Sequence, residues 1–249
     1  MRRILFVALC GVVAPTVFAT SAHAAMAVAN SPRIQANGTI SATGWASSNW
    51  SGYAITGGPF TSVTGTWVVP AAAKTRHATY SSSWAGIDGF NNSNLIQAGT
   101  EQDYYGGAAH YYAWWEILPA AETRISLSVS AGDHVSVSIT RGSNGWTITV
   151  KDPRSGTFTT VKAYSGPGTS AEWIQEAPTV GGRIATLARY GEATFDPGTA
   201  NGKSPGLVSS DGGVMVQKSI QVSTPSVPDK DFDGFNIKYG STAPAAPSS

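Results

Sequence analysis

Ile125-Ser126-Leu127-Ser128-Val129-Ser130, then Ala131-Gly132-Asp133, then His134-Val135-Ser136-Val137-Ser138-Ile139-Thr140 is the stretch that decides the fold. Ile, Leu and Val alternate with Ser and Thr. Side chains on a strand point to opposite faces in turn, so each run has one dry and one wet face. Ala131-Gly132-Asp133 supplies a turn, and a second turn at Ser143-Asn144-Gly145 leads to Trp146, Ile148 and Val150 at the same period. The reading is an antiparallel meander. A sheet dry on one side must cover that side with a second layer, so the meander is expected to form half of a sandwich.

The flanking sequence reads as more strands. Upstream lie Trp50-Ser51-Gly52-Tyr53-Ala54 and, after Gly57-Gly58-Pro59, a run from Val63 to Pro70 with Val63, Trp67 and Val69 on one face. Residues 71–82 read as a loop. Trp84-Ala85-Gly86-Ile87-Asp88-Gly89 ends in a turn, Leu95-Ile96-Gln97-Ala98-Gly99 is a short strand, and Tyr111 to Ile117 puts Tyr112, Trp114 and Glu116 on one face. Downstream, Ser170 to Glu176 sends Glu172, Ile174 and Glu176 one way and Trp173 and Gln175 the other. Further strands are expected at 185–195, 214–222 and 232–239. The fold expectation is therefore all-β: an antiparallel β-sandwich of two large sheets, jelly-roll-like, with a concave groove. No repeat and no trustworthy helix period is present.

The amino terminus carries an address. Arg2 and Arg3 precede an apolar run from Ile4 to Val13, and Ala22-His23-Ala24 forms a small-x-small cleavage site, so residues 1–24 read as a signal peptide of a secreted protein. Its removal takes away Cys10, the only cysteine, leaving neither a disulfide nor a thiol nucleophile. Residues 25–46 lack periodicity and are expected to be a flexible leader or short pro-segment; 47–240 form the domain and 241–249 a flexible tail. The 16 bases and 15 acids become 14 and 15 without Arg2 and Arg3, a net charge of −1. That near-neutrality argues against nucleic acid as a partner, and no further run is long enough to span a bilayer.

The search for chemistry excludes much. There is no Gly-x-Ser-x-Gly elbow, His-Glu-x-x-His, phosphate loop or cysteine metal site. Asp229-Lys230-Asp231-Phe232-Asp233-Gly234 imitates half of a calcium loop, but position twelve is Gly240 instead of Glu, and a polar turn is the better reading. No metal or cofactor is expected. What remains is acids, amides and aromatics: Gln97, Glu172, Glu116, Asp88, Trp84 and Trp114, set among apolar residues where polar groups need a reason. A carboxylate can act as general base on water, and a neutral amide can stabilise an oxyanion even in strong acid. Spacing alone does not single out that pair; Gln97 also reads as a loop-bonding amide, and Trp84, Trp67 and Trp146 as sandwich core.

Taken together, Asn49-Trp50-Ser51-Gly52, the run from Val63 to Pro70, Trp84 to Gly89, Leu95 to Gly99, Tyr112-Ala113-Trp114-Trp115-Glu116 and Ala171-Glu172-Trp173-Ile174 resemble the glutamic peptidase (eqolisin) family. The resemblance implies an acid-acting endopeptidase that uses no metal and resists pepstatin-type inhibitors. It puts the catalytic Gln at Gln97 and the catalytic Glu at Glu172, with Trp50, Trp84, Asp88, Tyr112, Trp114 and Glu116 near the cleft. This chain is similar to a bacterial-type, cysteine-free member, expected to act as a monomer on protein or peptide substrates. The family usually has Asp where this chain has Tyr112. Loss of that like charge is expected to lower the pKa of the catalytic Glu, and activity is expected to reach higher pH than in typical members. Two other readings stay open: an aromatic-rich carbohydrate-binding module, and a glycoside hydrolase using Glu116 and Glu172 about 5 to 9.5 Å apart.

Overall fold

Two antiparallel layers lie face to face, and a single hydrogen-bonded ladder runs from one into the other. The computed structural model describes residues 27–36 and 44–248; the expected signal sequence and Cys10 lie outside them. The front layer is ordered Trp50–Thr56, Ser170–Glu176, Ser82–Ile87, Ile96–Tyr105, Ala108–Ile117 and the short edge Thr123–Arg124. The back layer is ordered Gly156–Lys162, Gly145–Asp152, His134–Gly142, Ser62–Val68, Glu192–Ala200 and Phe235–Tyr239. Ile220–Pro225 and Gly212–Gln217 carry the ladder between them. This is the β-sandwich that the alternation implies.

The core between the layers holds Trp67, Trp146, Trp173, Tyr53, Phe195, Phe235 and the inward Val and Ile of the 134–152 hairpin. Burying each such side chain contributes about 1.5 to 3 kcal/mol, and the Trp173 indole also donates across the layers to the Thr64 carbonyl at 2.7 Å. A second cluster sits on the outer face of the front layer: Trp45, Trp50, Ala54, Trp84, Leu95, Trp114 and Ile174. The front sheet is thus apolar on both faces. Its outer face is the one on which a groove can be built.

Several elements differ from the sequence reading. Ile125, Leu127 and Val129 are buried and their Ser neighbours exposed, yet 125–130 joins no ladder; its alternation records packing at the edge of the core without strand pairing. The 95–99 strand continues to Tyr105, and its buried Glu101-Gln102-Asp103 hid it because such residues are depleted in strands. The 185–195 strand begins only at Glu192. The 214–222 run is two strands folded at Lys218-Ser219, both with positive φ and neither a usual turn residue for it. Within 25–46, Val28–Ala29 pairs with Thr179–Val180 and Trp45–Ser47 runs parallel to Gly213–Met215. In the tail, the Ala245 carbonyl accepts from the Asn236 amide at 2.9 Å.

Candidate active site

Strand register brings the expected site residues into one row. Across the front sheet Ala54 pairs with Glu172, Glu172 with Gly86, Gly86 with Gln97, and Gln97 with Glu116. Residues paired directly across neighbouring strands share a face, so Glu172, Gln97 and Glu116 all rise on the outer face. Two strand steps separate Glu172 from Gln97, about 10 Å between Cα atoms, and the residue between them is a glycine with no side chain. No side chain of the row therefore stands between Glu172 and Gln97, and the Trp84 ring of the next row packs close to Gly86. The next row on this face is Gly52, Ile174, Trp84, Gly99 and Trp114, and the one beyond is Trp50, Glu176, Ser82, Glu101 and Tyr112.

Glu172 is fully buried, and neither carboxyl oxygen has a hydrogen-bond partner. Burial pushes its pKa well above the ordinary carboxylate value and the Asp88 charge adds to this, while the Ser170 hydroxyl, at the margin of hydrogen-bond geometry, pulls the other way. Gln97 is also fully buried. Its Nε2 donates to Glu116 Oε2 at 2.6 Å, which fixes the amide, while Gln97 Oε1 and Glu116 Oε1 stay unpartnered. Burial, then the Glu122 charge, raises the Glu116 carboxyl to about 8 against the pull of the Gln97 bond. The Trp114 indole N–H is unpartnered as well. Buried polar atoms normally find partners, so this cluster of unanswered groups marks a place that something polar occupies.

The remaining expected residues frame the row. Trp84 donates its indole N–H to Glu176 Oε2 at 2.9 Å and meets Trp50 edge-on at 4.9 Å, so both form one wall, whereas Trp67 and Trp146 belong to the inter-layer core. Asp88 touches neither Gln97 nor Glu116. Its carboxylate accepts from Tyr164 Oη at 2.6 Å, from the Gly168 and Thr169 N–H groups at 2.9 Å, from Asn92 Nδ2 at 3.0 Å and from Thr169 Oγ1 at 3.2 Å. Asp88 therefore clamps the loop that leads directly into the Glu172 strand.

Tyr112 stands two rows from Glu172 and gives its hydroxyl to Glu122 at 2.7 Å, with the Arg124 guanidinium over its ring. Its acidic neighbours are Glu101, Glu122 and Asp103, not Glu172. Position 112 thus has no direct hold on Glu172, whose carboxyl is governed by its own burial. Sequence reasoning missed this second acid group: Glu101 is fully buried and raised well above its usual value, and Asp103 and Glu122 are raised to about 7, in each case chiefly by burial. The available signal was the placement of Glu101 and Asp103 at even spacing from Gln97 and Gly99.

A strap of chain crosses the outer face and meets the row at Glu116. Residues 28–36 cross the outer face in extended form: the Asn30 N–H approaches Glu116, the Ser31 N–H donates to Glu176 Oε1 at 3.0 Å, and the Ser31 carbonyl accepts from the Trp50 indole at 2.9 Å. The Arg33 N–H donates to the Gly89 carbonyl at 3.0 Å, and its guanidinium lies 4.1 Å over the Phe90 ring. Asn30 is buried with its side-chain amide unpartnered. Beside this segment, Arg33, Gln35, Trp45, Ala54 and Phe90 help line an open cavity of about 470 Å³.

The chain is similar to known proteins over most of its length. The sequence model of the Peptidase A4 family matches residues 48–239. Aspergillopepsin-2 of Aspergillus niger is 29% identical over 212 residues, covering 70% of this chain and 74% of that protein. Scytalidopepsin B of Scytalidium lignicola is 29% identical over 157 residues, 62% of this chain and 55% of that protein. Among solved structures, scytalido-glutamic peptidase with a transition-state analogue superposes with a TM-score of 0.64 at 24% identity, over 77% of this chain and 98% of that one. Aspergilloglutamic peptidase from Aspergillus niger gives 0.54 at 26% identity, over 65% and 99%. With the family model matching residues 48–239 and the sandwich shared, the chain belongs to the Peptidase A4 family, the eqolisin glutamic peptidases, and is a peptidase.

Proposed function

We propose that this peptidase is a secreted, acid-acting endopeptidase in which Glu172 is the general base and Gln97 the oxyanion stabiliser. The observation that carries the reading is the unpartnered Glu172 carboxyl and the unpartnered Gln97 amide oxygen, on one face to either side of Gly86. When water and substrate fill the cleft, their hydrogen bonds to the unpartnered Glu172 oxygens favour its ionised form, and a water between the two groups can then lose a proton to a Glu172 oxygen while Gln97 Oε1 accepts its second O–H. The oxygen attacks the scissile carbonyl, and the Gln97 Nε2 hydrogen not engaged by Glu116 is available to the developing oxyanion. Glu172 then returns the proton to the leaving amine. Gln97 is neutral at any pH, and Glu116, uncharged in acid, still accepts its bond and keeps the amide aimed. Trp114, Trp84 and Trp50 wall the peptide, and Asp88 holds the Glu172 strand in register.

The two-carboxylate glycosidase fits less well, because Glu116 stands three strand steps from Glu172, about 14 Å between Cα atoms, with Gln97 interposed and bonded to it. Residues 28–36 act as the pro-segment in this reading: they lie across Glu116, Glu176 and Trp50 and precede the matched family region. Digestion of denatured casein at about pH 4 tests the assignment. Glu172→Gln abolishes cleavage, and Gln97→Ala lowers kcat about 10²- to 10³-fold, the usual cost of one oxyanion donor. Full activity in either variant would refute these two roles.

A further inference from the structure

We propose that Asp196, Asp229 and Asp233, with Asp231 at the rim, form a calcium site on the back layer, separate from the catalytic row. By sequence, Asp229 to Gly234 reads as a polar turn because the distal ligand of a calcium loop is missing. The fold supplies another from elsewhere. The Glu192–Ala200 strand changes register between Phe195 and Gly198, and the bulge brings the Asp196 carboxyl against the 229–234 turn. One oxygen from each of Asp196, Asp229 and Asp233 lies within 4.8 Å of the others.

The independent mark of a ligand is Asp229. It is 5% exposed; its Oδ1 accepts the Asp233 N–H at 3.1 Å, but its Oδ2 is buried with no partner. Asp233 Oδ1 is likewise buried and unanswered. A Cβ placed on Gly234 would collide with both Asp229 Oδ2 and the Asp196 carboxyl carbon, so these two groups converge on the same side of that glycine. Among the described residues, no Lys, Arg or His nitrogen comes within 4.0 Å of these carboxylates. Crowded, partly buried carboxylates without a counter-ion call for a cation.

The donors choose among cations. All are carboxylate oxygens, which excludes metals that select nitrogen or sulfur. Oxygens within 4.8 Å of one another can share one ion, and a donor set drawn from a strand bulge and a turn suits calcium, which takes six to eight oxygens in flexible geometry, better than magnesium, which demands a near-ideal octahedron. Gly198, two residues beyond Asp196, packs on the Trp173 indole, on the opposite face of its strand from Glu172. The ion would tie the Glu192–Ala200 strand to the turn before Phe235–Tyr239 and take no part in catalysis.

The test is calorimetric titration of calcium into the whole chelator-treated protein at pH 7, with thermal unfolding in parallel. One saturable site per chain is expected, together with a rise of about 5 to 10 °C in Tm at calcium a hundredfold above its Kd. Asp196→Asn, on the partly exposed side of the cluster, loses the heat and the Tm rise while keeping its β-sheet circular dichroism. Asp229→Asn does the same; should it fail to fold, the wild-type titration and Asp196→Asn still decide. No saturable heat up to about 10 mM calcium, or undiminished binding by Asp196→Asn, overturns the site. Peptidase activity enters none of these readouts, so they stand apart from the catalytic assignment.

Discussion

Moving the whole chain from pH 4 to pH 8 forces charge onto groups that the fold keeps uncharged, and Glu116 gives the clearest measure. Its carboxyl rises from 4.5 to about 8 on burial. A group held above its unfolded value contributes stability that is complete below the unfolded pKa, here 4.5, and is lost as pH climbs through the folded one. At about 1.4 kcal/mol per pH unit that rise corresponds to about 5 kcal/mol as a ceiling, and water entering the cleft around the new charge reduces it to about 2 to 3 kcal/mol. For a domain of this size the loss lowers Tm by about 5 to 10 °C between pH 4 and pH 8. Glu116→Gln keeps an acceptor for the Gln97 amide but cannot ionise. It should unfold at nearly the wild-type temperature at pH 4 and several degrees higher than wild type at pH 8. Calorimetry at constant ionic strength reads both. A wild-type Tm that rises over this interval, or parallel profiles for the two proteins, would refute the reasoning.

Three further outcomes follow from the same geometry. Gly86→Ala puts a methyl 3.0 Å from the Trp84 ring and 3.1 Å from Gln97 Cβ; casein kinetics should show kcat reduced more than tenfold with KM little changed, and unchanged kcat would mean that Gln97 tolerates displacement. Asp88→Ala frees the 164–169 loop by removing an acceptor of several bonds, costing about 2 to 3 kcal/mol in urea unfolding, and a loss below about 0.5 kcal/mol would exclude the clamp. A chain beginning at Ser47 should cleave casein without a lag, whereas a chain that retains residues 27–46 uncleaved should be slower; equal initial rates would show that the segment does not cover the site.

The dry and wet alternation at 134–150 and the turn at Asn144-Gly145 made the sandwich legible, because a period of two leaves few alternatives. Where the structure departed, another force was at work. The 125–130 run alternates because its side chains enter the core, and periodicity does not distinguish that from ladder pairing. Lys218-Ser219 turns the chain without a turn residue, since tertiary pairing of the flanking strands imposes the positive φ. Glu172 and Gln97 could be named from motifs, but their alignment across Gly86 depends on the registers of three separate strands, which no local pattern encodes. The same holds for Glu101, Asp103 and Glu122, whose burial runs against the preferences of their residue types. Residues 28–36 carry no period at all; their place is set by the surface that receives them.

The glycines of the front sheet bear on how such an enzyme can diversify. A side chain at Gly86 would press on the Trp84 ring, and one at Gly99 on the Trp84 Cβ and the Ser83 carbonyl, so both glycines are fitted to the chain around Trp84. The floor of the trough is consequently a set of mated pairs, in which widening one member demands shrinking another at the same moment. Single steps across it are blocked. New preferences for the residues flanking a cut bond must then arise at the margins of the trough.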